Sequence, residues 1–153
     1  MKKKKGYSYE QGRFSPVNKD KYKGSWPIIY RSSWEKKAFM FLDRNPKIIK
    51  WGSESTVVKY RDASRKNTIH RYFIDLSLTI KKEDGRLQTY WVEIKLHAQC
   101  SPPVKGRKQQ KTFLKESEAW LRNTSKWKAA TEAAKRRGIK FAIWTEKNFT
   151  VLS

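Results

Sequence analysis

A chain of 153 residues with 36 Lys and Arg against 14 Asp and Glu has a formal net charge of +22, which costs stability by self-repulsion and points to a polyanionic partner. Seven Trp and 14% aromatic residues exclude a disordered basic tail, and the length suits one domain with one modest core. The single Cys100 rules out an internal disulfide and fits a reducing compartment, Cys100 with His70 and His97 is too small a set for structural zinc, and no run approaches the ~20 apolar residues of a membrane span.

Residues 1–27 mix Gly, Pro and charge with little periodicity and read as a basic N-terminal arm, extended ahead of a single domain at 28–153. Met1-Lys2-Lys3-Lys4-Lys5 has no apolar segment behind it and is not expected to be a signal peptide; its lysines either follow phosphates or stay solvated. Helical spacing begins at about 31 and ends at 44, with Trp34, Ala38, Phe41 and Leu42 as the apolar stripe and Asn45-Pro46 as the stop. Ser32-x-x-Glu35 at its start is a capping box, so Glu35 reads equally as a cap and as a metal-site acid. Short strands are expected at 48–51 and 56–60, with Glu54 between them as a supporting acid or a surface charge. A loop at 61–67 follows.

The runs Tyr72-Phe73-Ile74-Asp75-Leu76-Ser77-Leu78-Thr79-Ile80 and Leu87-Gln88-Thr89-Tyr90-Trp91-Val92-Glu93-Ile94-Lys95 flank a turn. Alternation puts Tyr72, Ile74, Leu76, Leu78 and Ile80 on one face of the first strand, and Tyr90, Val92, Ile94 and Leu96 on one face of the second. If both sets enter one core, Asp75, Ser77, Glu93 and Lys95 share the opposite face. That parity requires an odd-numbered loop. Glu83-Asp84-Gly85, with Gly85 left-handed, supplies it, pairs Lys82 with Arg86 and sets Asp75 across from Glu93, about 5 Å apart at Cβ. Two carboxylates so close repel unless a cation joins them, and hard oxygen donors suit Mg2+ or Mn2+. With Lys95 beside them, they point to metal-assisted phosphodiester cleavage. Ordinary strand charges with a surface ion pair remain the competing reading.

Beyond the hairpin, residues 99–108 form a basic, breaker-rich loop. Lys105, Arg107, Lys108 and Lys111 are the preferred DNA-phosphate contacts, giving affinity without base readout. Arg71 and His70 precede the acidic strand and can touch a phosphate there, although a structural hydrogen bond suits His70 better. A helix is expected over 112–137, with an interruption near Asn123-Thr124-Ser125. Trp120, Leu121, Trp127, Ala130 and Ala134 read as core, and Gly138 as the C-cap. A late strand, 139–144, is expected beside the hairpin.

Glu35 on an early helix, then Asp75, then Glu93-x-Lys95 on consecutive strands resembles the PD-(D/E)xK restriction-endonuclease-like nucleases. Within them, Gln11-Gly12-Arg13-Phe14, Tyr30-Arg31-Ser32-Ser33-Trp34-Glu35, Ile49-Lys50-Trp51-Gly52-Ser53-Glu54 and His70-Arg71-Tyr72-Phe73-Ile74-Asp75 resemble the head-completion nucleases of T-even-type phages, themselves similar to TnsA-type endonucleases. The resemblance implies an α/β fold with a restriction endonuclease-like core, a mixed β-sheet flanked by α-helices. It implies Glu35, Asp75 and Glu93 as metal ligands, joined by the Ile94 carbonyl, and Lys95 as the catalytic lysine. The implied activity is a Mg2+-dependent deoxyribonuclease that trims or nicks packaged DNA before head–tail joining. Its implied partners are DNA and phage head or portal proteins, with no membrane. Its implied location is the host cytoplasm during assembly, with retention in the virion left open. Ile74 stands where the superfamily often has Pro, and no Gln-x-x-x-Tyr follows the lysine, which weakens a processive exonuclease. A non-catalytic DNA-binding portal protein and a transposase-associated endonuclease are the alternatives.

Overall fold

The structure, a computed structural model, describes residues 11–148; Lys2, Lys3, Lys4 and Lys5 lie outside them. Strands β1 (Gly12–Phe14) and β2 (Ile28–Tyr30) form a small antiparallel pair. Helix α1 (Ser33–Arg44) leads to β3 (Ile48–Asp62), β4 (Thr68–Lys81) and β5 (Leu87–Ile94). Helix α2 (Gln110–Arg136) and β6 (Lys140–Trp144) complete the described chain. The main sheet has the order β3-β4-β5-β6. Its first three strands are antiparallel, and β6 joins β5 in parallel after the α2 crossover. This is the mixed α/β architecture that the sequence predicts.

The β4–β5 turn follows the parity argument. Lys82 N–H donates to Arg86 O (2.8 Å), Gly85 N–H donates to Lys82 O (2.9 Å), and Gly85 has φ +86°, a conformation that a side chain would strain. The ladder runs from Lys81–Leu87 to Leu76–Val92. Continued one step, that register sets Asp75 against Glu93, and the Glu93 charge acts on Asp75.

Several elements differ from expectation. The two short strands expected at 48–51 and 56–60 are one strand, β3, which continues through Arg61 and Asp62. A register shift between Ser53 and Thr56 places Glu54 and Ser55 together opposite Asp75. This is a β-bulge, and Glu54 carries its left-handed residue at φ +51°. Helix α2 is unbroken at 123–125 because the polar side chains there bond their own helix: Thr124 Oγ1 donates to Trp120 O (2.9 Å) and Ser125 Oγ to Leu121 O (2.7 Å). Ser125 also accepts from Ala63 N–H (3.2 Å), tying α2 to the tip of the β3–β4 connection. The helix ends as predicted: Gly138 has φ +69°, and Ile139 N–H and Gly138 N–H bond Ala134 O (2.8 Å) and Lys135 O (3.2 Å).

The single core expected is divided into two clusters. One gathers Trp34, Ala38, Phe39 and Leu42 of α1 with Trp51, Leu76, Leu78 and Val92; here Phe39 is fully buried while Phe41 is only partly so. The other gathers Ala130, Ala133 and Ala134 of α2 with Val58, Tyr60, Tyr72, Ile74 and Trp91. Strand β4 serves both, and the changeover falls at Asp75. Leu121, expected in the core, is exposed.

The described part of the expected arm is docked rather than extended. Tyr22 is buried against Trp51, and the buried carboxylate of Asp43 accepts from Val17 N–H (2.8 Å) and Asn18 N–H (2.9 Å). Asp43→Ala is expected to leave both amides without their acceptor and to cost about 2–4 kcal/mol, read from urea unfolding. A loss within experimental error would show that the docked segment contributes nothing to stability.

Candidate active site

Where β4 and β5 part company beyond Leu76–Val92, the ladder leaves the Ile94 amide unclaimed by a strand partner. The Asp75 carboxylate takes it: Ile94 N–H donates to Asp75 Oδ2 at 2.8 Å. Glu93, buried at 6% exposure, is held from two sides. Lys95 Nζ stands 3.6 Å from its Oε1, and the Tyr72 hydroxyl donates to its Oε2. Helix α1 brings the third acid. Glu35 N–H donates to Ser32 Oγ (3.1 Å), so Ser32 caps α1 as expected, but Glu35 Oε2 accepts from Arg31 N–H (3.1 Å), one residue before the cap, rather than from the Ser32 amide of a capping box. Glu35, Asp75, Glu93 and Lys95 nevertheless line one cavity of about 290 Å3, together with Ser32, Ile94, Gln99 and Glu146.

The electrostatics follow from crowding negative charge where water is scarce. Burial, and next the Glu93 carboxylate, push the Asp75 carboxyl well above the ordinary carboxylate range, against the pull of the Ile94 amide and Lys95. Burial likewise raises Glu35, against the donors Arg31 and Ser32. Burial and the neighbouring Glu93 charge raise the Tyr72 phenol, which keeps it protonated as a donor. Glu54 at the bulge forms an ion pair with Arg31, so it braces the entrance to α1 and adds negative charge near Glu35.

Oxygen donors of this kind suit Mg2+ or Mn2+. Asp75 Oδ1 and Glu35 Oε1 accept no hydrogen bond among the described residues. No three His, Cys, Asp or Glu side chains among those residues are drawn closely enough to hold an ion as they stand. The arrangement is a pair, Asp75 and Glu93, with Glu35 of α1 lining the same cavity, rather than the three-acid cage expected. A pair fits Mg2+, which keeps several waters and needs only one or two carboxylates besides substrate phosphate.

The other expected residues lie elsewhere. Ser77 lines a different cavity, with Lys23, Lys50 and Thr79. Arg71 is exposed, its guanidinium 5.0 Å from the Phe73 ring centroid. His70 Nε2 bonds Thr68 Oγ1 at 2.7 Å, a structural role. Lys105, Arg107, Lys108 and Lys111 are exposed before and at the start of α2, with Lys108 paired to Glu116 at 2.6 Å; none of them lines the cavity.

Sequence reasoning missed four residues. Tyr72 stands three positions from Asp75, which alternation assigns to the other face, yet its hydroxyl reaches Glu93 Oε2. Gln99 and Glu146 reach the cavity from a short 3-10 turn, His97–Cys100, and from the segment after β6, and Glu146 also accepts from His97 N–H (2.9 Å). Lys126 of α2 lies over the rings of Tyr72 (5.4 Å) and Tyr60 (5.9 Å). Burial lowers its pKa, with Glu93 opposing and Lys95 reinforcing the shift. Nothing in its own segment distinguishes it from the other lysines of that helix.

The same span is recognised by comparison with known proteins. The chain is 41% identical over 146 residues to the head completion nuclease of Enterobacteria phage T4, covering 92% of this chain and 94% of that protein. No solved structure matches it. The model of the family described as TnsA-like endonuclease N terminal matches residues 45–146, a span that contains Asp75, Glu93 and Lys95 and begins after α1. With two thirds of its length matched to that model, and its acid pair and lysine inside the match, the chain belongs to the TnsA-like endonuclease N-terminal family.

Proposed function

We propose that this chain is a divalent-metal-dependent deoxyribonuclease acting in phage head completion, and that Asp75, Glu93 and Lys95 are its reacting centre. One observation carries the reading: two strands diverge at the point where their register sets Asp75 against Glu93, with a lysine amine 3.6 Å from Glu93, on the wall of one cavity. Family membership and the likeness to a head completion nuclease support it, as does the +22 charge.

In this reading Asp75 and Glu93 would hold Mg2+ or Mn2+, with the Ile94 carbonyl and Glu35 as further ligands. The bound ion would neutralise charge on the scissile phosphate and make a water acidic enough to attack it. The Ile94 amide fixes the Asp75 carboxylate, and Tyr72 fixes Glu93. Lys95 orients the attacking water and offsets negative charge as it develops on phosphorus. Lys105, Arg107, Lys108 and Lys111 supply phosphate contacts away from the centre. The proposed setting is the host cytoplasm during assembly, with packaged DNA as substrate and head or portal proteins as neighbours.

A DNA-binding assembly protein without activity has no use for acids held at a raised pKa, because each one costs stability. Supercoiled plasmid separates the two readings. Wild type is expected to nick or linearise it with Mg2+ or Mn2+ and to leave it intact in EDTA, while Asp75→Ala leaves it intact throughout. Uncut plasmid with wild type under every divalent ion overturns the enzyme reading.

A further inference from the structure

Past Leu76–Val92, β3 and β4 continue without β5 as a two-stranded ribbon, from Thr56–Ile74 to Asp62–Thr68. Alternate residues, Val58, Tyr60, Tyr72 and Ile74, pack on the alanines of α2. The other face consists of the cross-strand pairs Val57–Phe73, Lys59–Arg71 and Arg61–Ile69, all exposed. Its apolar members are large for a solvated surface: Val57, Phe73 and Ile69 are 39%, 46% and 57% exposed.

Folding alone does not account for this face. Lys59 stands directly across the ladder from Arg71, and like charges so placed destabilise a sheet. Among the described residues none of the three cations has an ion pair. Glu132 of α2 shares a groove with Lys59 and Arg61 but bonds neither. Asp62, at the ribbon's end, is turned inward and fully buried, satisfied by Ser64, Arg65 and Arg122. The Arg71 guanidinium over Phe73 makes a cationic–aromatic platform.

We infer that this ribbon face is the duplex-DNA docking surface of the chain, an inference that rests on the nuclease reading above. The cations meet phosphates, and Phe73 with Val57 meets sugar and groove edge. The dimensions agree: seven residue pairs extend roughly 23 Å at about 3.3 Å per residue, and a two-stranded ribbon fits a major groove about 12 Å wide. Strand β4 carries Arg71 and Phe73 and then Asp75, so a backbone gripped by the ribbon is led to the cavity.

The test measures binding of a fluorescein-labelled duplex in EDTA over a range of salt. Lys59→Gln/Arg71→Gln is compared with Lys81→Gln/Lys82→Gln, which removes the same charge from the opposite end of β4. The ribbon variant is expected to weaken binding about tenfold and to reduce the salt slope by about 2, at ~0.9 for each phosphate no longer neutralised; the turn variant should stay near wild type. Equal weakening by both variants, or none by the ribbon variant, overturns the inference. Acetylation of wild-type Lys59 needs no variant: saturating duplex should protect it several-fold relative to Lys82, and equal protection overturns the inference. If wild type cuts plasmid but the ribbon variant binds normally, only the docking surface fails. If wild type never cuts while the ribbon results hold, only the nuclease reading fails.

Discussion

Asp75→Asn is expected to abolish cleavage and to raise the thermal midpoint of the metal-free protein at the same time. The asparagine oxygen can still accept the Ile94 amide, which Asp75 Oδ2 takes at 2.8 Å, so the local backbone is kept. What disappears is a second negative charge acting on Glu93. Plasmid nicking should fall about 10^3-fold or more, the scale of losing a preorganised electrostatic group at a reacting phosphate. Stability should move the other way. The folded-state pKa of Asp75 is raised above the ordinary aspartate value of 3.8, so its ionised form destabilises the native state at neutral pH. That cost fades as pH falls through the folded pKa and is gone below about 3.8. The advantage of the asparagine variant should therefore be largest near neutrality and close on acidification, as read by calorimetry in EDTA. Adding Mg2+ should raise the midpoint of wild type but not of the variant. The acid limb of the wild-type rate profile should lie above the usual carboxylate range and move down as Mg2+ rises, because ion and proton compete for the same oxygens. A variant no more stable than wild type, with an unchanged response to Mg2+, would remove Asp75 from the proposed metal site.

Lys95→Ala should lower single-turnover cleavage by about 10^2–10^3 while leaving duplex binding in EDTA within a factor of about two. The amine is one charge among 36 basic residues, so its removal barely changes affinity for the polyanion. Its place 3.6 Å from Glu93 on the cavity wall is what gives it a role in the chemistry. Lys95→Arg should recover only part of the rate, because a planar fork does not reproduce a compact ammonium. If Lys95→Ala cuts as fast as wild type, the lysine is only the ion-pair partner of Glu93, and another group must offset the charge developing on phosphorus. Lys126, over the Tyr72 ring, would be the first to examine.

The two variants probe one design. Each acid is gripped by a donor from a different element: the β5 backbone for Asp75, Tyr72 of β4 and Lys95 for Glu93, and the Arg31 amide ahead of α1 for Glu35. Such grips hold mutually repelling charges in place where an ion can use them. A carboxylate pair without them would relax by protonation or by turning toward solvent. The bulge at Glu54 and Ser55 sits directly across from Asp75, where extra twist lets β4 leave β5.

How much of this could be read from the residues is clearest at the hairpin. Turn chemistry at Gly85 and strict alternation are local properties, so the hairpin register that sets Asp75 against Glu93, the Ser32 cap of α1 and the stop at Gly138 were all legible in the chain alone. The docked segment from Gly12 to Tyr30, the unbroken α2 and the bulge were not. Neither was the arrival of Tyr72 at Glu93, of Glu146 at the cavity or of Lys126 over the Tyr72 ring. Those features depend on which helix covers which half of β4, a matter of packing between residues tens of positions apart. Alternation says only that two sets of side chains part; it took the folded sheet, packed with α1 at Leu76 and Leu78 and with α2 at Tyr72 and Ile74, to bring Glu35, Asp75, Glu93 and Lys95 onto one cavity.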